Sequence, residues 1–329
     1  MQTSLSATLR DISFDFQADD LTQAVFKTLA YFDVFDFPLT AWEVYRYLWR
    51  PGSEDSISFL TVQRILDSGV YGITAREGFY MLSGRGALVS LRKTRAALAA
   101  KKYRRAGRTA AFLRLCPFVR LVAVSNSLAL ANVRADSDID LFIITAKDKI
   151  WLARFFTAGF LKLCGLRPTP VRKRDTICLN FFVSEEALNL KNLRKSGLVP
   201  DIYFTYWVRQ LVPLYDAGDI FSQFMQSNGW VANYIGAADG IRPNIRRRIG
   251  RHGVLEFCKT GGEFLLCARV IERFCKKLQL RQLPPALAEK ANRSTDVVIT
   301  DSVLKFHERD RRNEYRKRWL DKQCNNVTM

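Results

Sequence analysis

The chain has 329 residues, of which 48% are hydrophobic and 25% are charged. This composition is typical of a globular protein of two or three domains, and it excludes a largely disordered chain. Lys and Arg total 51 against 32 Asp and Glu, which gives a net charge of +19 at pH 7. Such a surplus attracts polyanions, but charge alone does not choose among nucleotides, RNA, DNA, anionic lipid and a merely solvated basic surface.

The cysteine and histidine content bears on the compartment and on metal binding. Seven Cys form no CxxC pair, and only two His are present. We therefore expect buried free thiols in a reducing compartment and no His/Cys zinc site. The N-terminus lacks the pattern of a secretory signal, and the most apolar stretch, 150–165, is shorter than the ~20 residues of a spanning helix. We expect a core helix there and a cytoplasmic protein with no membrane span.

Residues 1–86 predict a winged-helix-like unit. Apolar residues recur at helical spacing over 21–32, Thr40 and Glu43 form a capping box at the start of a second helix, and 58–67 reads as a third helix. Two short strands, 71–74 and 78–82, follow. The third helix carries few donors suited to reading bases, so a DNA-binding role and a structural or protein-contact role both stay open.

Residues 87–117 predict a basic helical connector. No Asp or Glu occurs between Gly78 and Ala135, whereas the same stretch holds twelve basic residues. A solvated helix normally mixes charges of both signs, because oppositely charged pairs one turn apart stabilise it. Two interpretations follow: a surface that faces phosphates, or a basic face that pairs with acidic residues elsewhere in the fold.

Residues 118–235 alternate between strand and helix patterns and predict an α/β (α+β) unit around a small mixed sheet. The strands are expected over 118–125, 138–145 and 176–184, and the helices over 127–133 and 147–165. The remaining segments read as helical, including a basic C-terminal region over 236–329. These segments are 200–215, 219–234, a long helix over 255–280 interrupted near Gly261-Gly262, and a mixed-charge helix or tail over 305–322, with a linker over 236–253.

Asp138 and Asp140 are the strongest candidates for chemistry. Residues two apart on a strand point to the same face, so these carboxylates should project together with their Cα atoms about 6.5–7 Å apart. The neighbours Ile139 and Leu141 should point into the core. Mg²⁺ favours one or two carboxylates together with substrate phosphates. The pair therefore predicts a seat for Mg²⁺ or Mn²⁺ that would act on a phosphate-bearing substrate.

A phosphate cradle is expected just upstream of this pair. Ser125-Asn126-Ser127 lies between a strand and a helix start, where backbone amides and a hydroxyl bind phosphate well. Position 126 would need a left-handed backbone or a close approach to phosphate, which Gly serves best and Asn tolerates. Arg134, Lys173 and Arg174 are further candidates for phosphate contacts.

These residues resemble the signature of the DNA polymerase β-like nucleotidyltransferase superfamily. That signature is a hydrophobic residue, Gly, then Gly or Ser, nine to thirteen residues, and Asp-hydrophobic-Asp/Glu-hydrophobic. Here Ser125-Asn126-Ser127 is followed by ten residues and by Asp138-Ile139-Asp140-Leu141. The preceding Asp136-Ser137 matches the minimal and kanamycin-type members. The resemblance covers about residues 118–185 and implies a nucleotidyltransferase core.

The resemblance also implies roles for individual residues. Ser127 would contact the triphosphate of an NTP, and Asp138 and Asp140 would bind metal. A third carboxylate is expected on the later strand, where the chain has Asn180; Asp175 is the substitute if geometry permits. Because Asn cannot act as a base, two functions stay open. One is transfer of an NMP from an NTP to an unidentified hydroxyl; the other is a degenerate nucleotide- or RNA-binding or regulatory protein. As a partner of the basic surface, we expect RNA rather than DNA.

Overall fold

The computed structural model describes residues 20–50, 57–169, 171–235, 247–250 and 253–327. The protein is a mixed α/β chain with a mixed sheet, and it divides into two compact units. Unit 1 comprises Met1–Thr94, Trp230–Ile241 and Arg312–Met329; unit 2 comprises Arg95–Gly229 and Arg242–Arg311. Within the described residues, no helix combines the length and the apolar character that crossing a membrane requires.

Unit 1 contains three helices followed by a two-stranded hairpin, in the order that the sequence predicts. Helix α1 covers 20–33, α2 covers Ala41–Arg46 and α3 covers Phe59–Asp67. The capping box of α2 is confirmed: the Glu43 amide donates to the Thr40 hydroxyl at 3.2 Å, and the Thr40 amide donates to the Glu43 carboxylate at 2.9 Å. These bonds satisfy amides that a helix start otherwise leaves unpaired.

The hairpin of unit 1 is displaced along the chain from its predicted position. Strand β1 is Ile73–Arg76 rather than 71–74, and β2 is Phe79–Leu82. The turn between them is Glu77-Gly78, and both residues have a positive φ, as a two-residue hairpin turn of the favoured twist requires. The displacement arises because Val70–Gly72 closes a 3₁₀ turn after α3, which delays the strand by two residues.

The C-terminal helix of the chain also belongs to unit 1. We predicted a mixed-charge helix or tail over 305–322, and the structure has helix α12 over Arg312–Val327. Its Trp319 is buried, and the indole N–H donates to the backbone oxygen of Lys27 on α1 at 2.9 Å. Lys322 forms an ion pair with the buried Asp33. The helix is therefore packed against α1 and is not a free tail.

Unit 2 is built on a six-stranded sheet with the order β6-β3-β4-β5-β8-β7. Only β4 and β5 pair in parallel, and the helix α6 supplies the crossover that a parallel pair needs. The strands are β3 Val119–Val124, β4 Ile139–Thr145, β5 Ile177–Ser184, β6 Val212–Asp216, β7 Val297–Ile299 and β8 Val303–Phe306.

The helices of unit 2 lie around this sheet. They are α4 Leu88–Leu113, whose first turns lie in unit 1, α5 Asn126–Ala129, α6 Ile150–Leu163, α7 Ile202–Gln210, α8 Ile220–Ser227, α9 Gly253–Leu265, α10 Arg269–Arg281 and α11 Pro285–Lys290. Helix α6 confirms that the apolar stretch 150–165 is a core helix. Its Trp151, Leu152 and Leu161 are buried in the cluster that covers one face of the sheet.

Three strands, β6, β7 and β8, lie where the sequence predicts helices, so those predictions are wrong. Residues 212–216 form β6 rather than the end of a helix, because Pro213 lacks the amide donor that a continuing helix needs. Residues 236–329, predicted to be helical, contribute β7 and β8, which are too short for a period-two pattern to be recognised in the sequence. Residues 255–280 form two helices that break at Leu266–Ala268, not at Gly261-Gly262. Most of the predicted linker 236–253 lies outside the described residues.

Candidate metal and nucleotide site

Asp138 and Asp140 lie where β4 begins. Asp138 immediately precedes the strand and Asp140 is its second residue; both side chains are partly exposed. The neighbours Ile139 and Leu141 are fully buried in the core cluster on the opposite face. The alternation of a strand therefore directs the two carboxylates to the same side of the sheet, as the sequence predicts.

Cys178 completes a cluster that the sequence analysis missed. It lies opposite Asp140 in the register of the parallel strands β4 and β5. One potential ligand atom from each of Asp138, Asp140 and Cys178 lies within 4.8 Å of the other two. The prediction of buried thiols is wrong for Cys164, Cys258, Cys267 and Cys324, which are exposed, and Cys178 itself is only partly buried. The signal was available in the sequence, because Cys178 and Asn180 are two apart on a strand and so share a face with each other.

Burial and the neighbouring Asp138 carboxylate raise the pKa of Asp140 to about 7. Burial also raises the pKa of Asp138, against the opposing influence of Lys102 and Lys173. Two carboxylates that are costly to ionise together form a place where a cation is strongly favoured. A bound cation would therefore favour the ionised form of both carboxylates.

The donor set fits a hard divalent cation. Burial raises the pKa of the Cys178 thiol well above its usual range, and the adjacent carboxylates of Asp140 and Asp138 raise it further. In the metal-free site the sulfur is therefore a neutral S–H at physiological pH and a poorer ligand for a hard cation than the carboxylates are. The ionisable oxygens of Asp138 and Asp140 are ligands of the kind that Mg²⁺ and Mn²⁺ take.

Asn180 and Asp175 were the two candidates for a third position, and they lie in different surroundings. The Asn180 side-chain amide donates to an Asp140 carboxylate oxygen at 3.4 Å. Asp175 lies outside the cluster of Asp138, Asp140 and Cys178, and it forms a 2.7 Å ion pair with Lys102. Burial would raise the pKa of Asp175, but this ion pair outweighs it and the pKa is lowered.

Lys102 is a second residue that the sequence analysis did not single out. Its ammonium group is buried, and it donates to the Ser137 backbone oxygen at 2.6 Å as well as to Asp175. These contacts tie the loop that carries Asp138 to α4 and to the start of β5. The sequence did hold a signal: Lys102 follows Ala99 and precedes Ala106 at helical spacing, and both alanines face the core.

The segment Ser125-Asn126-Ser127, which was predicted to bind phosphate, forms a turn at the end of β3. Asn126 has φ 54°, the left-handed conformation expected of it, and is the first residue of α5. Its side-chain oxygen accepts a hydrogen bond from the Trp207 indole at 2.9 Å, and its side chain also bonds to Asp140. Asn126 thus links the turn to the carboxylates, with Trp207, which the sequence did not reveal, fixing its orientation. Ser127 is the next residue and is partly exposed.

The basic candidates around the site are exposed. Arg134 lies in the loop before β4 and forms a 3.4 Å ion pair with Asp136, and both side chains are 74% accessible. Lys173 and Arg174 are exposed in the loop before β5, where Arg174 lies 3.6 Å from Asp175. Such solvated ion pairs contribute little to stability, so these side chains are free to rearrange toward an anion.

The stretch from Gly78 to Ala135, which has basic residues but no Asp or Glu, was given two interpretations: pairing with acids elsewhere, or facing phosphates. Different residues of the stretch support each one. The cations that pair with acids outside the stretch include Arg85 with Asp33, Arg92 with Glu43, Lys93 with Glu77, Lys102 with Asp175, Arg120 with Glu263 and Arg134 with Asp136. Others on α4, such as Lys101, Arg104 and Arg108, are exposed. The pairing explanation therefore accounts for part of the stretch, and an exposed basic strip on α4 is left for a polyanion.

Comparisons with protein-family models, with curated proteins and with solved structures each find no match for this chain.

Proposed function

We propose that the protein is a metal-dependent nucleotidyltransferase that moves an NMP from an NTP to a hydroxyl acceptor. The proposal extends the resemblance to the DNA polymerase β-like superfamily from residues 118–185 to the site as a whole. The observation that carries it is the cluster at the start of β4, where Asp138 and Asp140 converge within 4.8 Å beside the Asn126 turn. A seat for a divalent cation next to a turn suited to phosphate is what binding of an NTP needs.

The residues take the following roles in this proposal. Asp138 and Asp140 would hold Mg²⁺ or Mn²⁺, which would supply charge stabilisation for the phosphates of the NTP. The Asn126 turn and Ser127 would bind the triphosphate through backbone amides and the hydroxyl. Arg134, and after it Lys173 and Arg174, would reach the outer phosphates. Lys102 would act as a positioning residue, because it holds the Asp138 loop through Ser137.

A label-transfer assay tests this function. The protein is incubated with each α-labelled NTP, Mg²⁺ or Mn²⁺, and pooled cellular RNA and protein. We expect label on an acceptor with the wild type and with Asp136→Ala, which changes an exposed carboxylate next to the site. Asp138→Ala combined with Asp140→Ala should reduce the label to background. Transfer that persists in the double variant would refute the site.

A second function is favoured by one specific observation, the amide of Asn180 at the position where a third carboxylate is expected. An amide cannot take a proton from an acceptor hydroxyl, and Asp175 is engaged with Lys102. The rival proposal is a nucleotide- or RNA-binding or regulatory protein that keeps the fold without turnover. Binding of NTP and Mn²⁺ by calorimetry, with no transfer to any acceptor, would support it over the enzyme.

Unit 1 suggests where a macromolecular partner would bind. We propose that α1, α2, α3 and the β1–β2 hairpin form a winged-helix-like module. Helix α3 exposes Leu60 and has only a few polar side chains, which favours a protein contact over DNA reading. RNA would instead follow the exposed cations of α4. All seven cysteines are free, which fits a reducing cytoplasmic location.

A further inference from the structure

Helices α9 and α10 expose an unusual density of large apolar side chains. Six of them are between 65% and 81% accessible: Val254, Phe257, Phe264, Leu265, Val270 and Phe274. Single exposed apolar residues are normal on a protein surface, whereas a contiguous group marks an interaction site. On α9, Val254, Phe257 and Phe264 are three and seven residues apart, and on α10 Val270 and Phe274 are four apart, so each helix carries these side chains along one face.

The acidic residues of the same two helices face the opposite way. Glu256 accepts a hydrogen bond from the Tyr215 hydroxyl at 3.2 Å, Glu263 pairs with Arg120 at 2.8 Å, and Glu272 accepts from the Trp151 amide at 2.8 Å. All three carboxylates are therefore engaged with the body of unit 2. An ordinary solvated helix has the reverse arrangement, with acids outside and phenylalanines inside.

Cations accompany the exposed apolar residues. Arg269, Arg273, Lys277 and Arg281 are exposed on α10. A groove of about 400 Å³ on this helix is lined by Arg273, Lys276, Lys277, Leu280 and Arg281. Within Gly253–Arg281, every exposed charged residue that the structure describes is positive. The outer surface thus combines large apolar side chains with a strongly cationic groove.

We propose that the outer surface of α9 and α10 binds an anionic phospholipid bilayer. Phenylalanine and aliphatic side chains enter the acyl boundary of a membrane, while Lys and Arg bind lipid phosphates at the headgroup level. A second copy of the chain is a poorer occupant, because a two-fold interface would bring cation against cation. RNA would contact the cations and stack on the aromatic rings, but it would leave Val254, Leu265 and Val270 uncovered.

Vesicle sedimentation of the full chain tests the proposal. The vesicles are phosphatidylcholine alone, or equal parts of phosphatidylcholine and phosphatidylglycerol. We expect binding to the anionic vesicles only. Phe257→Asp combined with Phe264→Asp should abolish it, because these rings are exposed and their replacement leaves the core intact. Val171→Asp combined with Leu198→Asp is the matched control, since both side chains are exposed and lie outside the two helices, and the pair adds the same two negative charges.

A second pair of variants separates this surface from the general charge of the protein. Arg273→Gln with Lys277→Gln should weaken binding by about 25-fold, because each cation near an anionic surface contributes about fivefold. Lys147→Gln with Arg293→Gln lowers the net charge equally at exposed positions outside α4, α9 and α10, and should leave most of the binding. Equal losses in both pairs, or full binding by the Phe257/Phe264 variant, would overturn the proposal. The proposal would also be overturned if the protein dimerises with concentration, the Phe257 and Phe264 changes abolish the dimer, and vesicles do not compete with it.

Discussion

The side-chain amide of Asn180 on β5 donates a hydrogen bond to the carboxylate of Asp140 on β4 across 3.4 Å. This contact lowers the pKa of Asp140 against the stronger effects of burial and of Asp138, which raise it. A carboxylate in place of the amide would add a third negative charge to a site that already holds two. Asn180 therefore limits the charge of the metal-free site and, with it, the affinity for a cation.

Replacing Asn180 by Asp should tighten the binding of a divalent cation. A third carboxylate adds charge and a hard oxygen ligand, and one pK unit of additional interaction corresponds to a change of about tenfold in affinity. Titration with Mn²⁺, followed by paramagnetic resonance or calorimetry, measures this. Asn180→Ala is the control, because it removes the amide without adding charge. Equal affinities of the Asp and Ala variants would show that position 180 does not contact the metal.

Binding of a divalent cation should depend on pH with a midpoint near 7. The pKa of Asp140 is raised to about 7, so at lower pH a proton occupies the carboxylate that the metal needs. The affinity should therefore rise about tenfold per pH unit below 7 and level off above it. Mn²⁺ titrations measure the profile across pH 5.5–8.5, a range that extends about 1.5 units on either side of the pKa.

Two variants test whether the pH profile arises from this site. Asp136→Asn should keep both the midpoint and the slope, because Asp136 is exposed and lies outside the carboxylate cluster. Asp140→Asn should lose most of the affinity and the dependence near pH 7. If the affinity of the wild type is constant from pH 5.5 upward, the pKa of Asp140 lies in the range usual for Asp, which would contradict the raised pKa.

The position of the acidic pair was predictable from the sequence because it rests on local regularities. The period of a strand and the buried neighbours Ile139 and Leu141 determine which way Asp138 and Asp140 point. The capping box at Thr40 and the left-handed backbone at Asn126 are local in the same sense. A few adjacent residues contain all the information that these features need.

The features that the sequence did not reveal depend on contacts between distant segments. Cys178 joins Asp140 through the register of two parallel strands, and Trp207 reaches Asn126 from a helix 81 positions further along the chain. Strands β7 and β8 have only three and four residues; β8 pairs with β5 and β7 pairs with β8, and this pairing determines their conformation. Tertiary contacts of this kind override a weak local propensity, so a single sequence does not show them.

Two substitutions at Asn126 should separate the roles of its backbone and its side chain. Asn126→Gly and Asn126→Ala both remove the amide that bonds to Trp207 and to Asp140. Only alanine also incurs the cost of a left-handed backbone, so it should be less stable than the glycine variant by about 1 kcal/mol. Urea denaturation of the two variants measures this difference. Equal stabilities would show that the turn relaxes to a different conformation.

Lys102 should be essential for the geometry of the site even though it is not one of the three possible metal ligands. Lys102→Ala removes a buried ammonium that bonds to Ser137 and Asp175, and the unpaired acceptors should cost about 2–3 kcal/mol of the free energy of unfolding. The adjacent Lys101→Ala is the control, because Lys101 is exposed. Beyond stability, Mn²⁺ affinity should fall in the Lys102 variant at temperatures where it is fully folded, since the Asp138 loop has lost its anchor. A folded Lys102→Ala protein with the Mn²⁺ affinity of the wild type would mean that the loop holds Asp138 in place without the lysine.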